Sequence, residues 1–300
     1  MSTETNKFFL KLFSLFSVVR GYNLLVLALA IYFASIFIMA HDIPVKDVLF
    51  DLNLHLLVLS SLLAIASGYI INNFYDSEKD LINRPAKTLL DNYVSQNTKL
   101  GVYFGLNFLS VIVASYVSFK AVLFFSGYIF LLWIYSHKLK RKVGIATLMA
   151  SMLAVLPFFI VFVYYKNLDL VIFVHALYLF LLVSIRELIK DLENLRGDFV
   201  QEYQTLPVVY GMRLTKKIIS VLCVSLIVPA LVLISLFDIG YMTYYFATSV
   251  LFFIFFILKL WQSRTKKHYV LLHNLLKLVI VIGIFSIVLI DLQQVVDRIF

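Results

Sequence analysis

Apolar residues run along this chain in long blocks that carry hardly a charge, separated by short polar stretches where nearly all the Lys, Arg, Asp and Glu collect. Nine blocks approach the roughly 20 residues that a helix needs to cross a bilayer. They cover about 23–40, 54–73, 101–118, 121–136, 143–165, 168–185, 217–237, 241–260 and 275–292. Inside hydrocarbon every backbone N–H and C=O has to be satisfied within the protein, so uninterrupted apolar runs predict helices. A spanning barrel would need segments of about ten residues with alternating polarity, and the chain shows none.

Composition agrees with this pattern. Of 300 residues 62% are hydrophobic and only 14% charged, with a mean hydropathy of +0.95, against about 45–50% and about 25% in soluble domains. The expected fold class is therefore all-α: a polytopic membrane protein, read as one domain over residues 1–300. Disorder is excluded by the hydrophobicity, and a disulfide or zinc-finger scaffold by the single cysteine, Cys223, which lies in an apolar run. The opening MSTETNKFFLKLF has no small-residue cleavage pattern and reads as the approach to a retained first span.

Charge turns the span count into a topology. Lys and Arg exceed Asp and Glu by 26 to 17, a net charge of +9. The N-terminal segment and the loops after spans two, four, six and eight hold 22 of the 26 cations; only Lys46, Lys120, Lys166 and Arg298 fall on the other side. The positive-inside rule then puts the N-terminus and the even loops in the cytoplasm. The basic balance is a topology signal and implies no nucleic-acid partner. The expected location is a multi-pass protein of the cell inner membrane with its chemistry on the cytoplasmic side.

The acidic residues form two clusters just beyond apolar spans on that side: Asp76, Glu78 and Asp80, and Glu187, Asp191, Glu193 and Asp198. In register they read Asn73-x2-Asp76-x3-Asp80 and Asp191-x2-Asn194-x3-Asp198. On a helix such i, i+3, i+7 positions share an arc of about 60°. Carboxylates on one face repel unless a cation or cationic partner sits between them. Asn and Asp oxygens suit Mg2+, a hard ion that commonly shares its shell with substrate phosphates; no His or Cys cluster suggests a transition metal. Arg84, Lys87, Lys140, Arg141 and Lys190 surround these clusters and are the cations a diphosphate would require. Taken one at a time, each is equally a positive-inside residue facing anionic lipid.

Asn72-Asn73-Phe74-Tyr75-Asp76-Ser77-Glu78-Lys79-Asp80, continued by Leu81-Ile82-Asn83-Arg84-Pro85, resembles the NDxxDxxxD…(K/R)P signature of UbiA-type intramembrane prenyltransferases. The stretch from Arg186 to Asp198, followed by Thr205-Leu206-Pro207, is similar to that family's second Asp-rich motif. Arg20 and Asn23 match its RxxN entry, and Tyr135-Ser136 with Leu139-Lys140-Arg141 its YSxxLKR. The resemblance implies nine helices in one bundle around a central cavity, with Mg2+ joining both motifs to an isoprenyl diphosphate whose prenyl group passes to a lipophilic acceptor. It implies metal ligation by Asn72, Asn73, Asp76, Asp80, Asp191, Asn194 and Asp198, with Asp76, Asp80, Asp191 and Asp198 catalytic. Asn23, Tyr75, Tyr135, Ser136 and Tyr203 would line the substrate pocket. Asn73 and Asn194 stand where the family has Asp, and Lys87-Thr88 where it has Arg-Pro.

Rival classes fit less well. An intramembrane aspartyl protease expects Gly-x-Gly-Asp, where this chain has Leu195-Arg196-Gly197-Asp198; a CDP-alcohol phosphotransferase needs a DGxxAR that is missing. A secondary transporter would share the internal repeat but place its charges near the bilayer midplane. The Lys-Asp-x-Glu…Gly-Asp form of the second motif is more similar to the branch that alkylates glycerol-phosphate lipids than to the branch that prenylates aromatic quinone or haem precursors. A phosphate-bearing alcohol acceptor needs a further anion site, for which Arg213, Lys216 and Lys217 are candidates.

Overall fold

The computed structural model describes residues 2–291. Arg298, one of the four opposite-side cations, and the last residue expected in span nine lie outside them. Among the described residues nine helical segments are long and apolar enough to cross a membrane. The helices are α1 (Ser2–Val18), α2 (Gly21–Ala34, prolonged by a π turn over Ser35–Met39), α3 (Val45–Leu49), α4 (Leu52–Asn83), α5 (Pro85–Asp91) and α6 (Gln96–Ser115). There follow α7 (Phe119–His137), α8 (Ile145–Tyr165), α9 (Leu170–Val200), α10 (Leu206–Leu236), α11 (Met242–Gln262) and α12 (Lys266–Ser286).

Local chemistry fixes several ends. Ser95 and Ser118 cap α6 and α7, their hydroxyls accepting from the amides of Thr98 and Ala121 at 3.2 Å each, which satisfies donors that a helix start leaves open. Pro85 opens α5 as its first residue, where a missing N–H costs nothing. The long apolar blocks predict the spans but not their ends. α4 continues past residue 73 to Asn83, and α9 past 185 to Val200, so both acidic clusters are helical. α10 begins at Leu206, ahead of the expected 217, as two helices joined end to end at Gly211 (φ 79°, ψ 163°).

The described residues fall into two compact units. The first gathers the chain up to Ala28, Leu52–Arg141 and Arg196–Tyr203. Here α4 packs against α6 and α7 through a strip of small residues, Ser60, Ser61, Ala64, Ser67 and Gly68, which lets helix backbones approach where lipid provides no hydrophobic drive. Ser110 Oγ donates to the Ser60 carbonyl at 2.9 Å, Ser67 bonds Asn107, and a Cβ on Gly68 would lie 3.1 Å from Leu132. Val18, Ile70, Ile71 and Tyr103 close the motif end of this core. α1, which the apolar pattern does not predict, joins the unit against α4 and α5.

The second unit comprises Leu29–Asp51, Lys142–Leu195 and the chain from Gln204 on. Its core is a continuous apolar layer of Ile185, Leu188, Ile189, Ile219, Leu226, Phe246, Phe253, Phe256 and Leu276 from α9, α10, α11 and α12. Cys223 is buried there as a free thiol.

Candidate functional site

The first unit brings the end of α4 and the end of α9 together at one glycine. Gly197 N–H donates to Asn83 Oδ1 at 3.2 Å, and a Cβ on Gly197 would sit 2.3 Å from Asn83 Nδ2. No side chain fits between them, so this approach sets Asp198 beside the first acidic cluster. The buried Asp76 and Asp198 are linked through Lys79, whose Nζ lies 3.4 Å from Asp76 Oδ1 and 3.5 Å from Asp198 Oδ1. Lys140 Nζ reaches Asp76 Oδ1 at 2.8 Å and donates to Asn72 Oδ1 at 3.2 Å. The cation expected between like charges is thus present, as a pair of lysines. The residues it joins are Asp76 and Asp198, not partners at matching positions of the two spacings.

Tyr203, just after α9, ties the cluster together. Its hydroxyl donates to Asp76 Oδ1 at 2.8 Å and its amide to the Asp198 carbonyl at 2.9 Å. Lys79 lies 4.1 Å and Arg141 5.0 Å from its ring centroid, cation–π contacts that hold both cations near the carboxylates. Burial first, and then the Asp76 carboxylate, push the Tyr203 phenol above its ordinary pKa, so it remains a hydrogen-bond donor at neutral pH.

Beside this cluster a pocket is lined by Val18, Arg20, Tyr69, Asn72, Asn73, Asp80, Arg84 and Lys87. Three cations and one carboxylate therefore converge on it. Arg20 adopts a left-handed backbone (φ 52°) at the turn between α1 and α2, and its guanidinium lies 5.0 Å from the Tyr69 ring centroid. Positive φ is uncommon outside glycine, and here it belongs to a residue whose side chain lines the pocket.

The expected site residues separate into groups. Asn72, Asp76, Lys140, Arg141, Asp198 and Tyr203 meet around Lys79; Asp80, Arg84 and Lys87 face the pocket. Tyr75 packs on His137 at 5.2 Å and lies under Lys140 at 5.8 Å. Ser136 is buried, while Tyr135 and Asn23 are half-buried. Asn73 lines the pocket, yet both ends of its amide are engaged, with Asp91 and Lys99. Lys190, Asp191 and Asn194 belong to the second unit. There Lys190 and Arg186 each bind Glu187 at 2.7 Å, and Glu193 meets His273 Nδ1 at 2.6 Å. Lys216 does not offer a free cation: its buried Nζ donates to the Ser263 carbonyl at 2.6 Å, at the end of α11. Lys79, Asn83, Asp91 and Lys99 were not expected as site residues; Lys79 and Asn83 stand in the sequence only as members of the first motif stretch.

Among the described residues no three His, Cys, Asp or Glu side chains gather at metal-ligand spacing. The donor chemistry nevertheless fits a hard cation. The carboxylates of Asp76 and Asp198 and the amide oxygen of Asn72 are oxygen donors. In the second unit Asn194 Oδ1 is buried with no hydrogen-bond partner among the described residues. An orphaned buried carbonyl is costly unless something binds it.

The model of the UbiA prenyltransferase family matches residues 27–281. A digeranylgeranylglyceryl phosphate synthase of Thermococcus sibiricus is 30% identical over 215 residues, 71% of this chain and 74% of that protein. One of Methanobrevibacter smithii is 26% identical over 242 residues, 75% and 80% of the two chains. Among solved structures, a digeranylgeranylglyceryl phosphate synthase superposes with a TM-score of 0.70 at 21% identity, over 93% of this chain and 98% of its own. A UbiA homologue from Archaeoglobus fulgidus bound to GPP and Mg2+ gives 0.66 at 13% identity, over 92% and 99%. At those identities the structural matches show a shared fold.

Proposed function

The chain belongs to the UbiA prenyltransferase family and is an integral, multi-pass membrane enzyme, and from that premise we propose that it transfers a polyprenyl group from an isoprenyl diphosphate to a prenylglyceryl phosphate lipid, with Mg2+ as cofactor. The observation that carries this reading is the lysine-bridged pair Asp76 and Asp198 next to a pocket lined by Arg20, Arg84 and Lys87. Hard-cation ligands and phosphate-binding cations lie side by side. The acceptor is supported by the relatives from Thermococcus sibiricus and Methanobrevibacter smithii, both digeranylgeranylglyceryl phosphate synthases, and by the form of the second motif.

The chemistry follows from these charges. The allylic C–O bond breaks, its electron pair leaves with the diphosphate, and a delocalised carbocation remains. Arg20, Arg84 and Lys87 receive the growing negative charge of the leaving group, from fixed positions that need no solvent reorganisation. Lys79 and Lys140 keep Asp76 and Asp198 charge-compensated within a largely buried cluster. Tyr203 holds Asp76, Lys79 and Arg141 in one arrangement. Bound Mg2+ would supply Lewis-acid stabilisation of the diphosphate oxygens, held by Asp76, Asp80, Asp198 and Asn72 of the first unit. The acceptor hydroxyl oxygen then forms the new C–O bond to the cation, and its proton passes to the released diphosphate. The abundance of cations beside the motifs supports a cytoplasmic active side, with 22 of 26 Lys and Arg on that side of the spans.

A panel assay tests this. Purified protein in detergent receives one labelled long allylic diphosphate with a prenylglyceryl phosphate, 4-hydroxybenzoate or a naphthoate. Transfer to the glycerol lipid alone is expected. Transfer only to the aromatic compounds would move the chain to an aromatic acceptor and leave the ionisation step standing; no transfer to any acceptor would overturn the reading.

A further inference from the structure

One buried carboxylate in the first unit lies outside both acidic clusters. Asp91, at the end of α5, is 2% exposed. Its Oδ2 accepts from Lys87 Nζ at 2.6 Å and from Asn73 Nδ2 at 3.0 Å, and its Oδ1 from Ser17 Oγ at 2.8 Å. Its carbonyl accepts from Ser14 Oγ at 3.3 Å. Asn73 passes the connection on, since its Oδ1 accepts from Lys99 Nζ at 3.0 Å, and Lys99 is fully buried. Side chains of α1, α4 and α5 therefore meet on one anion, and one from α6 is joined to it through Asn73.

Charge balance shows what this anion does. Within the network two ammonium groups share one carboxylate, Lys87 by direct contact and Lys99 through the Asn73 amide. Lys99 is fully buried, and a buried cation left without compensation is strongly disfavoured. The Lys87 side chain is 38% exposed, so for it the Asp91 carboxylate sets position. Removing the Asp91 charge would thus affect both lysines, Lys99 in its compensation and Lys87 in its placement. Asn73 and Lys87 also line the cation-rich pocket together with Asp80 and Arg84. Asp91 itself does not line it. Its contacts reach the pocket only through those two residues.

We propose that Asp91 is a positioning residue for the diphosphate: it fixes the Lys87 ammonium at the pocket wall and, through Asn73, sets the wall's amide and compensates Lys99. The proposal rests on the diphosphate reading of that pocket. It concerns where a negative charge must be, so moving the charge is the informative change.

The test compares wild type, Asp91→Asn and the exchange Asn73→Asp/Asp91→Asn, which returns one carboxylate to the same network with side chains of nearly unchanged size. Affinity for inorganic diphosphate with Mg2+ is measured by calorimetry in detergent, alongside unfolding temperature. Asp91→Asn is expected to weaken diphosphate binding about tenfold or more, the scale of a lost charge-assisted hydrogen bond. The exchange should return binding to within about threefold of wild type, because a carboxylate again lies between two lysines. Wild-type affinity in folded Asp91→Asn overturns the proposal, and so does a folded exchange variant as weak as Asp91→Asn. Should Asp91→Asn fail to fold, a folded exchange variant that binds supports the proposal, and one that also fails to fold overturns it. Prenyl transfer by wild type is scored separately, so absence of turnover with intact diphosphate binding counts against the transfer reading and not against Asp91.

Discussion

Adding one methyl group at Gly197 should disable the protein more than any single charge change at its surface. The Cβ of Gly197→Ala would lie 2.3 Å from Asn83 Nδ2, 2.6 Å from Cγ and 2.7 Å from Oδ1, all below contact distance, and Asn83 is itself 5% exposed. Either the Asn83 side chain leaves its place, losing the 3.2 Å bond from the Gly197 amide, or the ends of α4 and α9 move apart. The first route forfeits a buried hydrogen bond, about 1–3 kcal/mol; the second is overpacking, about 1–3 kcal/mol. In either case Asp198, the next residue, shifts relative to Lys79 and Asp76. Misplacement by about 1 Å costs about a hundredfold in rate for groups that act by position. Denaturant unfolding in micelles and initial rates on an allylic diphosphate measure the two effects. Gly101→Ala, where an added Cβ meets nothing within 4 Å, is the control for helix-glycine changes. Gly197→Ala as stable and as active as Gly101→Ala would refute the claim that this close approach builds the site.

Tyr203→Phe keeps the ring against Lys79 and Arg141 but removes the hydroxyl on Asp76, and a loss of about tenfold in kcat is expected from one hydrogen bond to a charged group; Tyr203→Ala should lose clearly more, and equal losses would deny the ring a role. Chelation should abolish turnover and Mg2+ restore it, with Asp76→Ala and Asp198→Ala each costing orders of magnitude while Asp47→Ala, in the first turn of α3, stays near wild type. Undiminished rates in chelator would remove the metal from the proposed function. Cysteines introduced at Lys142 and Asp238 should label from opposite sides of the membrane, the first from the cytoplasm, and labelling from the same side would contradict the charge-derived topology.

The spans were legible because lipid leaves a helix little choice: about 20 apolar residues in a row is a condition the sequence either meets or does not. Their ends were less so. Hydropathy falls away near residue 73, yet α4 runs on to Asn83, since the helix needs only satisfied backbone bonds and compensated charges, and Lys79 and Lys140 provide the compensation. α1 escaped notice for a related reason. Its Phe9, Leu12, Phe13 and Phe16 are exposed, and an apolar stretch of 10 residues, Phe9–Val18, is too short to register as a span.

The site was legible as far as residue type and spacing go, and its pairing was not. An i, i+3, i+7 pattern places three side chains on a helix face but says nothing about which of them meets another helix. That is decided by Gly197, whose missing Cβ admits Asn83 and so selects Asp198 as the neighbour of Lys79 and Asp76. Asn73 shows the same limit from the other side. Read along the chain it is an implied metal ligand standing where the family has Asp; in the structure its amide nitrogen donates to Asp91 while its oxygen accepts from Lys99, and a carboxylate at that position could not donate. An amide at 73 is therefore what the Asp91 carboxylate, 18 residues further along the chain, requires of its partner. The departure from the family's Asp at 73 is the complement of an acid placed on α5, and neither residue can be assigned a role without the other.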